Sequence, residues 1–456
     1  MQVSTSHEKW SSRLTFIMAA VGSSVGLGNV WKFPYEAGVS GGGAFVLIYI
    51  ACILVVGLPI LIAELTLGKQ GQMSPPNTMR TLAQREGRSS LWQSVGWLGV
   101  LAAFMILSFY SVIGGWALAY VPKFISGDLI TTNPDVVTTE FNTLLASPAQ
   151  MLAWHGLFMV LTIFVVARGI HAGIEKAVDI LMPALFFILL ALVIYAAIAG
   201  DFGRAWSFLF AADFSKITPD VVLNALGQAF FSISVGLGAM MTYGAYLPKD
   251  VKIPRAATII VFADTMVALL AGLAIFPIVF ANGLDPASGP GLVFVTLPLA
   301  FAGVPLGGFF GTMFFVLIVF AAITSSISLL EPVVSWAEEH KGVKRSLSAI
   351  VAGFLIWLLG LLSVFSFNLW GDVHLLGMFE RFETATLFDL MDFTTSNIFL
   401  PLGGMAMVIF ASWIMSRETT ETDLGLSPAL YKSWLFLARF VAPIALLMIF
   451  AYNIFG

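Results

Sequence analysis

The 456-residue chain contains little charge and almost no cysteine. Asp, Glu, Lys and Arg together make up 11% of the residues, about half the share of a soluble protein, whereas 59% are hydrophobic. The single cysteine, Cys52, excludes an internal disulfide, a Cys-rich zinc site and an iron–sulfur cluster. The five histidines lack metal-ligand spacing such as HExxH, and no catalytic cluster accompanies them, so an enzyme is not expected. This composition predicts a polytopic membrane protein.

Long apolar runs are abundant instead. A window of about 20 residues predicts eleven membrane spans, at approximately 12–37, 43–68, 91–122, 150–168, 175–199, 219–245, 255–283, 306–337, 347–367, 393–415 and 430–454. The segment 285–304 is apolar but interrupted by glycine and proline, and we interpret it as a partly re-entrant extracellular hairpin. The charged rings or repeated filter loops of a channel are not found.

The basic residues are distributed unequally between the two sides of the predicted bundle. Most of the lysines and arginines fall on one side, whereas the loops of the other side hold Lys123, Arg204, Lys216 and Arg381. Because cytoplasmic loops carry an excess of basic residues, the N-terminus is predicted to be cytoplasmic. An odd number of spans then places the C-terminus outside the cell, in a multi-pass protein of the cell membrane.

One five-residue phrase occurs twice, as Ser24 to Gly28 and as Ser234 to Gly238, both reading SVGLG. Each copy lies in the middle of a predicted span, where two glycines separated by one residue favour a break in the helix. A break inside hydrocarbon is tolerated only where protein, water, ion or solute satisfies the freed backbone groups. Small residues could instead allow close helix packing. The duplication favours two breaks around a central transport site.

The two broken spans are the first and the sixth, so they begin two units of five spans. A unit with an odd number of spans inserts upside down relative to its copy, which predicts an inverted repeat. The predicted division is an N-terminal cytoplasmic segment 1–11, a first repeat 12–200, an extracellular loop 201–218, a second repeat 219–416, and a final segment 417–456 with a cytoplasmic loop and span eleven.

The first copy belongs to a longer pattern, made of Leu27, Gly28, Asn29, Val30, Trp31, Lys32, Phe33, Pro34 and Tyr35, followed by Gly41, Gly42, Gly43, Ala44 and Phe45. Further matches are Phe109 and Tyr110, the run Gln228 to Ser232, and the run Thr324 to Ser326. This pattern resembles the neurotransmitter:sodium symporter family, and eleven spans resemble its bacterial members. The resemblance implies an all-α membrane protein with the LeuT fold, a 5+5 inverted repeat with spans one and six broken.

Sodium prefers about five or six oxygen ligands, which freed carbonyls, hydroxyls and amides can supply. The hydroxyls of Thr324 and Ser325 lie one helical turn after Ala321, so they could face broken span one together, or could instead bond to the preceding turn. The resemblance implies two sodium sites. The first comprises Ser24, Asn29, Ser232 and Asp264, and the second comprises Gly22, Val25, Ala321, Thr324 and Ser325.

Asp264 departs from the pattern of the family's chloride-dependent members. In the members of the family that this chain resembles and that require chloride, this position is an Asn. A hydroxyl residue follows one helical turn later, where this chain has Ala268. An intramembrane carboxylate needs a partner, and a nearby Na⁺ provides one. We therefore expect a chloride-independent carrier in which Asp264 could take up a proton after the ion leaves. A structural Asp paired with a neighbouring helix is the alternative.

The break in span one offers the backbone N–H groups of Leu27 and Gly28 to a carboxylate. Gly26 leaves room for a substrate that brings this carboxylate, whereas an acidic residue there marks the family's amine carriers. The resemblance implies a hydrogen bond from Tyr110 to the same group. The implied substrate-binding residues are Ser24, Leu27, Gly28, Ile106, Tyr110, Phe231, Ser232, Ser234, Leu237, Ser325 and Leu329.

The resemblance also implies two gates. Lys32 and Asp392 match an extracellular ion pair, although Lys32 could instead snorkel to the interface. Trp10, Tyr246 and Glu339 match the cytoplasmic gate, whose basic partner is open between His7 and Lys9. In span five, Gly173 and Pro183 resemble a motif that allows the helix to unwind, and a plain kink is the alternative.

Together these features predict a Na⁺-coupled symporter that imports a neutral, mostly hydrophobic L-amino acid by alternating access. The alternatives are a symporter of another zwitterion, such as a compatible solute, and a non-transporting amino-acid sensor. Expected partners are the amino acid, two sodium ions and the lipid bilayer. Neither nucleic acid nor chloride is expected, and the protein is predicted to be a monomer or weak dimer.

Overall fold

A computed structural model describes residues 8–248, 251–287 and 291–455. Every regular element within these ranges is helical, as the sequence predicts. The α-helices are α1 Arg13–Ser24, α2 Phe33–Val39, α3 Gly43–Cys52, α4 Leu58–Gly71, α5 Pro75–Arg85, α6 Gln93–Ser126, α7 Pro134–Ala146, α8 Pro148–Val166, α9 Lys176–Ala199, α10 Phe202–Phe210, α11 Pro219–Ser232, α12 Ala239–Ala245, α13 Ile253–Ala281, α14 Leu297–Ala302, α15 Gly307–Lys341, α16 Arg345–Ser366, α17 Leu387–Phe393, α18 Leu400–Ile409, α19 Arg417–Leu424, α20 Pro428–Phe436 and α21 Ala442–Phe455. Short π-helical or 3₁₀ turns join several of them.

Within the described ranges, nine helical stretches are long and apolar enough to cross a membrane, and a bent pair, Arg13–Ser24 with Gly28–Val39, makes ten. Predicted span six is divided into α11 and α12, which have 14 and seven residues. Neither helix alone is long enough to cross a membrane. The count of eleven spans therefore stays a prediction. The apolar helix at Leu292–Ala302 is too short to span, in agreement with the predicted hairpin.

Span one breaks where the first SVGLG phrase begins. Helix α1 ends at Ser24, and Val25 is extended, with φ −70° and ψ 102°. The chain then forms a π-helical turn, Gly28–Lys32, that continues into α2. The two pieces meet at 50°, so the predicted break is confirmed.

Span six breaks at the second SVGLG phrase. Helix α11 ends at Ser232, and Ser234, Gly236 and Gly238 then have positive φ angles of 55°, 87° and 72°. Glycine adopts this left-handed region without steric penalty, whereas Ser234 is an unusual residue there. The peptide groups from Ile233 to Gly238 are thereby free from the regular helical pattern, and the second predicted break is also confirmed.

The two longest helices, α6 and α15, pack against each other and support the broken spans. Helix α15 also contacts α1, α8, α9 and α16, so it lies at the centre of the bundle. In its otherwise apolar middle it carries a run of hydroxyl residues, Thr324 to Ser326, one turn after Ala321. This run faces the break in span one, and the candidate site lies between the two.

Candidate functional site

The two breaks face each other directly. The Ser24 hydroxyl donates to the carbonyl oxygen of Ile233 at 3.2 Å, and the Ser234 hydroxyl donates to the carbonyl oxygen of Ser23 at 3.3 Å. Each break thus supplies a hydroxyl group to a carbonyl group of the other. The shared sequence of the two segments explains this pairing, because each copy begins with a serine, which is the last residue of α1 in the first copy and lies two residues after α11 in the second.

A cavity lies beside these contacts, and every residue predicted for the substrate pocket lines it. Ser23, Gly26, Ser328 and Leu400 line it as well. Ser23 and Ser328 form a buried hydrogen bond of 2.8 Å, and neither was predicted as a pocket residue. The position of Ser328, three residues after Ser325 and so on the same helix face, is the signal that could have identified it.

At one end of the cavity, backbone N–H groups and a phenol come together. The Leu27 N–H donates to the Tyr110 hydroxyl at 3.4 Å. The break in span one leaves this N–H available for a bond outside the helix. A Cβ atom on Gly26 would lie 2.5 Å from Ser325 Oγ and 3.1 Å from the Tyr110 hydroxyl. No side chain fits at position 26 without displacing these two groups.

Next to this end lies a buried polar cluster that contains Asp264. Asn29 Nδ2 donates to Asp264 Oδ1 at 2.8 Å and to the Asp264 carbonyl oxygen at 3.1 Å. The Ser232 hydroxyl donates to Asp264 Oδ2 at 2.7 Å and accepts from the Tyr49 hydroxyl at 3.2 Å. Three of the four residues predicted for the first sodium site are thus hydrogen-bonded to one another, and Ser24 lies beside them through Ile233. Their oxygen donors and one negative charge suit a hard monovalent cation.

A second cluster forms where Thr324 and Ser325 meet the end of α1. Ser325 Oγ lies 3.3 Å from the carbonyl oxygens of Gly22 and Val25. Thr324 Oγ1 donates to the Ala321 carbonyl oxygen at 3.0 Å, which is the bond to the preceding turn that the sequence leaves open as the alternative. Its Cβ lies 3.2 Å from the position that a Cβ atom on Gly22 would take. All five residues predicted for the second sodium site therefore meet at one place, and all of their donors are neutral oxygens.

The structure does not form the predicted outer ion pair between Lys32 and Asp392. The Lys32 ammonium lies over the Phe231 ring, 4.3 Å from its centroid, and Asp392 Oδ1 accepts from the Ser396 hydroxyl at 3.0 Å. In this structure the ammonium therefore makes a cation–π contact in place of the predicted pair. Both residues still lie on the side of the cavity that faces away from Trp10.

Trp10 contacts Tyr246, its predicted partner in the cytoplasmic gate, and the role of the two residues as a gate stays a prediction. The Trp10 backbone N–H donates to the Tyr246 carbonyl at 3.1 Å and its indole N–H to the Tyr243 carbonyl at 2.9 Å. The Tyr246 hydroxyl donates to Glu331 Oε1 at 2.7 Å, and Arg345 forms an ion pair with Glu331. Neither Glu331 nor Arg345 was predicted here.

The predicted acidic partner, Glu339, accepts from the Ser74 backbone N–H at 2.6 Å and from Asn77 Nδ2 at 2.6 Å. It therefore connects α15 to the start of α5. Of the two predicted basic partners, His7 lies outside the described residues and Lys9 is exposed. The choice between them stays open.

In span five, Gly173 lies in a π-helical turn, Ile170–Glu175, that continues into α9. A Cβ atom on Gly173 would lie 2.1 Å from the Val165 carbonyl oxygen, so the turn packs directly on the end of α8. Pro183 lies inside α9, where it removes one backbone donor. The segment is wound in this structure, and its unwinding stays a prediction.

A residue missed at the level of sequence supports the break in span six. Glu64 in α4 is fully buried, and its carboxyl oxygens accept from the Gly236 N–H at 2.8 Å and the Met241 N–H at 3.3 Å. One of these donors belongs to a left-handed residue of the break, and the other lies in the first turn of α12. An acidic residue in the middle of an apolar run was the available signal.

Replacing Glu64 with Gln should destabilise the protein by about 1.5–3 kcal/mol, because the new amide group would point a donor at one of two backbone donors. Thermal unfolding of the purified variant measures this effect. Glu383→Gln, at an exposed position, is the matched control and should unfold with the parent. If the two variants unfold at the same temperature, Glu64 does not stabilise the break in span six.

Comparison with known proteins places the chain in one family of transporters. The model of the family described as the sodium:neurotransmitter symporter family matches residues 7–143 and 137–456. The sodium-dependent transporter YhdH of Bacillus subtilis is 39% identical over 452 residues, with 98% of each chain covered. A sodium-dependent transporter of Haemophilus influenzae is 34% identical over 456 residues, again with 98% of each chain covered. The crystal structure of MhsT in complex with L-phenylalanine matches 98% of this chain and 100% of its own, at 42% identity and a TM-score of 0.89.

Proposed function

Because this chain belongs to the sodium:neurotransmitter symporter family, we propose that it imports a neutral, mostly hydrophobic L-amino acid together with Na⁺ by alternating access. The chain is a multi-pass membrane transporter of LeuT-type fold and not an enzyme, and its coupling ion is sodium. The substrate, the number of ions and the roles of individual residues belong to the proposal. Import follows from coupling to an inward Na⁺ gradient, and a cytoplasmic N-terminus is proposed from the distribution of basic residues.

The observation that carries the proposal is the position of the Leu27 N–H beside the Asn29 cluster. A substrate carboxylate at this N–H would lie next to a Na⁺ bound by Asn29, Ser232 and Asp264. At about 4 Å and an effective dielectric constant of about 20, this pair contributes about 4 kcal/mol. An interaction of this size changes the affinity roughly a thousandfold. It also makes the binding of the ion and the binding of the amino acid mutually dependent.

The lining of the cavity supports a neutral side chain on the substrate. Apart from the serines and Tyr110, the groups around it are aliphatic or aromatic, and none is charged. A charged substrate side chain would lose its hydration there without gaining a counter-ion. The complex of MhsT with L-phenylalanine shows that a similar chain binds an amino acid of this class.

The second cluster, at Gly22, Val25, Ala321, Thr324 and Ser325, is proposed to bind a second Na⁺. With a net neutral substrate, two ions would gain about 4.6 kcal/mol per 100 mV of membrane potential. Ser325 contributes to both functions, because its hydroxyl lies near the carbonyl oxygens of α1 and also lines the cavity.

Ser325→Ala should weaken the apparent affinity for Na⁺ by about tenfold, since one of the few neutral ligands is removed. The adjacent Ser326→Ala is the matched control. Its hydroxyl contacts Thr162 at 2.7 Å, away from the cluster. Uptake measured against Na⁺ concentration separates the two variants. A normal Na⁺ dependence in Ser325→Ala would remove this residue from the site.

Transport is proposed to be chloride-independent, because Asp264 already places a negative charge beside the first cluster. The same carboxylate is proposed to take up a proton when Na⁺ leaves, which would give proton counter-transport. Equal uptake in chloride and in gluconate supports the first part, and a strict chloride requirement contradicts it. Stimulation of uptake by an acidic proteoliposome interior, lost in Asp264→Asn, tests the second part.

The decisive experiment is Na⁺-driven uptake into proteoliposomes, with a competition panel of the common amino acids against one labelled substrate. Concentrative uptake that needs an inward Na⁺ gradient supports the symporter. Binding without accumulation would favour a sensor instead. Competition by a small compatible solute, without competition by hydrophobic amino acids, would favour a carrier of another zwitterion.

A further inference from the structure

An arginine lies inside the last predicted span, away from the candidate site. This helical stretch, Pro428–Ile454, has 27 residues and is about 40 Å long at 1.5 Å per residue, and Arg439 lies near its middle. The nearby Trp434 indole N–H donates to the Pro59 carbonyl oxygen at 3.3 Å, and Pro59 is itself in the middle of the stretch Gly43–Gly71. An ionisable side chain at this depth requires a partner.

The partner is not a carboxylate of the protein. Within the described ranges, no Asp or Glu forms an ion pair with Arg439. Its Nε donates instead to the backbone carbonyl oxygen of Ser412 at 2.7 Å. Ser412 belongs to the last turn of span ten, Phe410–Ile414, where the carbonyl groups lack helical partners. The arginine side chain therefore extends from the middle of its own helix to the end of span ten that the proposed topology places at the cytoplasm.

Aromatic side chains hold the guanidinium at this position. It lies over the Trp413 ring, 5.0 Å from the centroid, and the Trp413 indole N–H donates to the Arg439 carbonyl oxygen at 3.2 Å. The rings of Trp413 and Phe440 meet edge to face, with their centroids 5.5 Å apart. Trp413 is 49% exposed and Phe440 is 45% exposed, and because both belong to membrane spans, these exposed faces contact lipid. The guanidinium is thus fixed where spans ten and eleven face the bilayer.

The other end of the guanidinium has no partner in the part of the chain that the structure describes. Nη1 and Nη2 of Arg439 form no hydrogen bond there, and neither atom is enclosed by protein. The N–H groups on these two atoms form a planar fork, which fits two oxygen atoms of a phosphate group. The headgroups of phospholipids border the hydrocarbon core, and basic pockets between membrane helices on the cytoplasmic side bind such headgroups. The unpaired fork therefore suits a lipid phosphate.

We propose that Arg439, Trp413 and the Ser412 carbonyl group form a binding site for the phosphate group of a phospholipid in the cytoplasmic leaflet. The Nε atom stays on the Ser412 carbonyl oxygen, and Nη1 and Nη2 donate to two phosphate oxygens. The bound lipid neutralises the guanidinium and bridges spans ten and eleven. The leaflet rests on the proposed cytoplasmic N-terminus. The site shares no residue with the proposed amino-acid and sodium sites, so its test is independent of theirs.

Lipid binding to the purified full chain tests the proposal. The protein in detergent is titrated with dioleoylphosphatidylglycerol, and native mass spectrometry measures the affinity of the tightest bound lipid. Arg439→Gln should weaken this affinity about tenfold, because the amide keeps a donor for the Ser412 carbonyl oxygen but loses the charge and the fork. Arg255→Gln removes an exposed arginine at the start of α13. It is the matched control and should bind the lipid as the parent does.

Two further variants separate the fork from its support. Arg439→Lys keeps the charge as a single point and should weaken the affinity less than Arg439→Gln does. Trp413→Leu should weaken it about two- to fivefold through the lost cation–π contact. Thermal unfolding without added lipid shows that each variant is folded. Added phosphatidylglycerol should then raise the unfolding temperature of the parent and of Arg255→Gln by about 2–4 °C, and that of Arg439→Gln by less.

Dioleoylglycerol, which has the same acyl chains without phosphate, and inorganic phosphate, which has no acyl chains, are the comparison ligands. Equal affinity for dioleoylglycerol would show that the phosphate group is not recognised. Displacement of the lipid by an equal concentration of inorganic phosphate would indicate a site for a soluble anion. Either result would overturn the proposal, as would lipid affinities of the parent and Arg439→Gln within twofold of each other. Weak binding of both comparison ligands, together with the loss in Arg439→Gln, would support the site.

Discussion

Replacing Gly26 with alanine should reduce Na⁺-driven uptake by roughly ten- to hundredfold, as expected when a buried site is overpacked by about 1–3 kcal/mol. The added Cβ atom would lie 2.5 Å from Ser325 Oγ and 3.1 Å from the Tyr110 hydroxyl. The backbone cannot move away easily, because the Gly26 N–H donates to Asn29 Oδ1 at 3.0 Å. Ser325 would have to rotate away from the carbonyl oxygens of α1, and Tyr110 away from Leu27. One methyl group would thus disturb the proposed amino-acid site and both proposed ion sites.

The measurement is initial uptake of labelled amino acid, together with Na⁺-dependent binding to the purified protein. Gly203→Ala is the matched control, because a Cβ atom at this position in α10 meets no atom within 4 Å. Equal binding affinities for Gly26→Ala and Gly203→Ala would show that the cavity is not the substrate site. Loss of uptake with normal binding would place the effect of Gly26 on a conformational step instead.

The breaks in spans one and six could be predicted from the sequence because their cause is local. In span six, two glycines around one residue permit the positive φ angles at Gly236 and Gly238. In span one the chain leaves the helix at Val25, just before the first of the two glycines, with an extended backbone. The pocket residues were predicted only through the resemblance to the family, because they come from several distant segments that no local pattern connects. All of them line one cavity in the structure.

The contacts of charged side chains could not be predicted in the same way. The flexible side chain of Lys32 can reach more than one partner. Its contact with the Phe231 ring depends on the three-dimensional arrangement, which the sequence does not give. Arg345 and Glu331 are 14 residues apart, on different helices, so no helical spacing connects them. The bond between Glu8 and the Ile170 N–H spans 162 residues and involves a backbone donor that has no sequence signature.

Glu64 and Glu331 are a different case, because a signal was available. Both are acidic residues inside apolar stretches, where an ionisable group is expensive unless it has a partner. For Asp264, which the resemblance pointed to, the same rule predicted the need for a partner. Applied to every intramembrane carboxylate, it would have identified two further buried acidic residues, one at the break in span six and one beneath Tyr246.

Asp264→Asn should weaken the apparent affinity for Na⁺ by about a hundredfold, since a carboxylate about 6 Å from a cation contributes about 3 kcal/mol at an effective dielectric constant of 20. The substitution keeps the shape of the side chain. The Ser232 hydroxyl, which donates to Asp264 Oδ2 at 2.7 Å, can rotate to accept from the new amide group. The main loss is therefore the negative charge.

External chloride should restore part of this affinity. The hydroxyl groups of Tyr49 and Ser232 remain beside the vacated charge, and they can donate to an anion that replaces the carboxylate. Uptake against Na⁺ concentration, measured in chloride and in gluconate, separates the two effects, and Asp128→Asn at an exposed position is the control. Unchanged Na⁺ dependence in Asp264→Asn would exclude this carboxylate from ion binding. A weakened Na⁺ affinity that chloride does not improve would show that the fixed charge, once removed, cannot be replaced by an anion from solution.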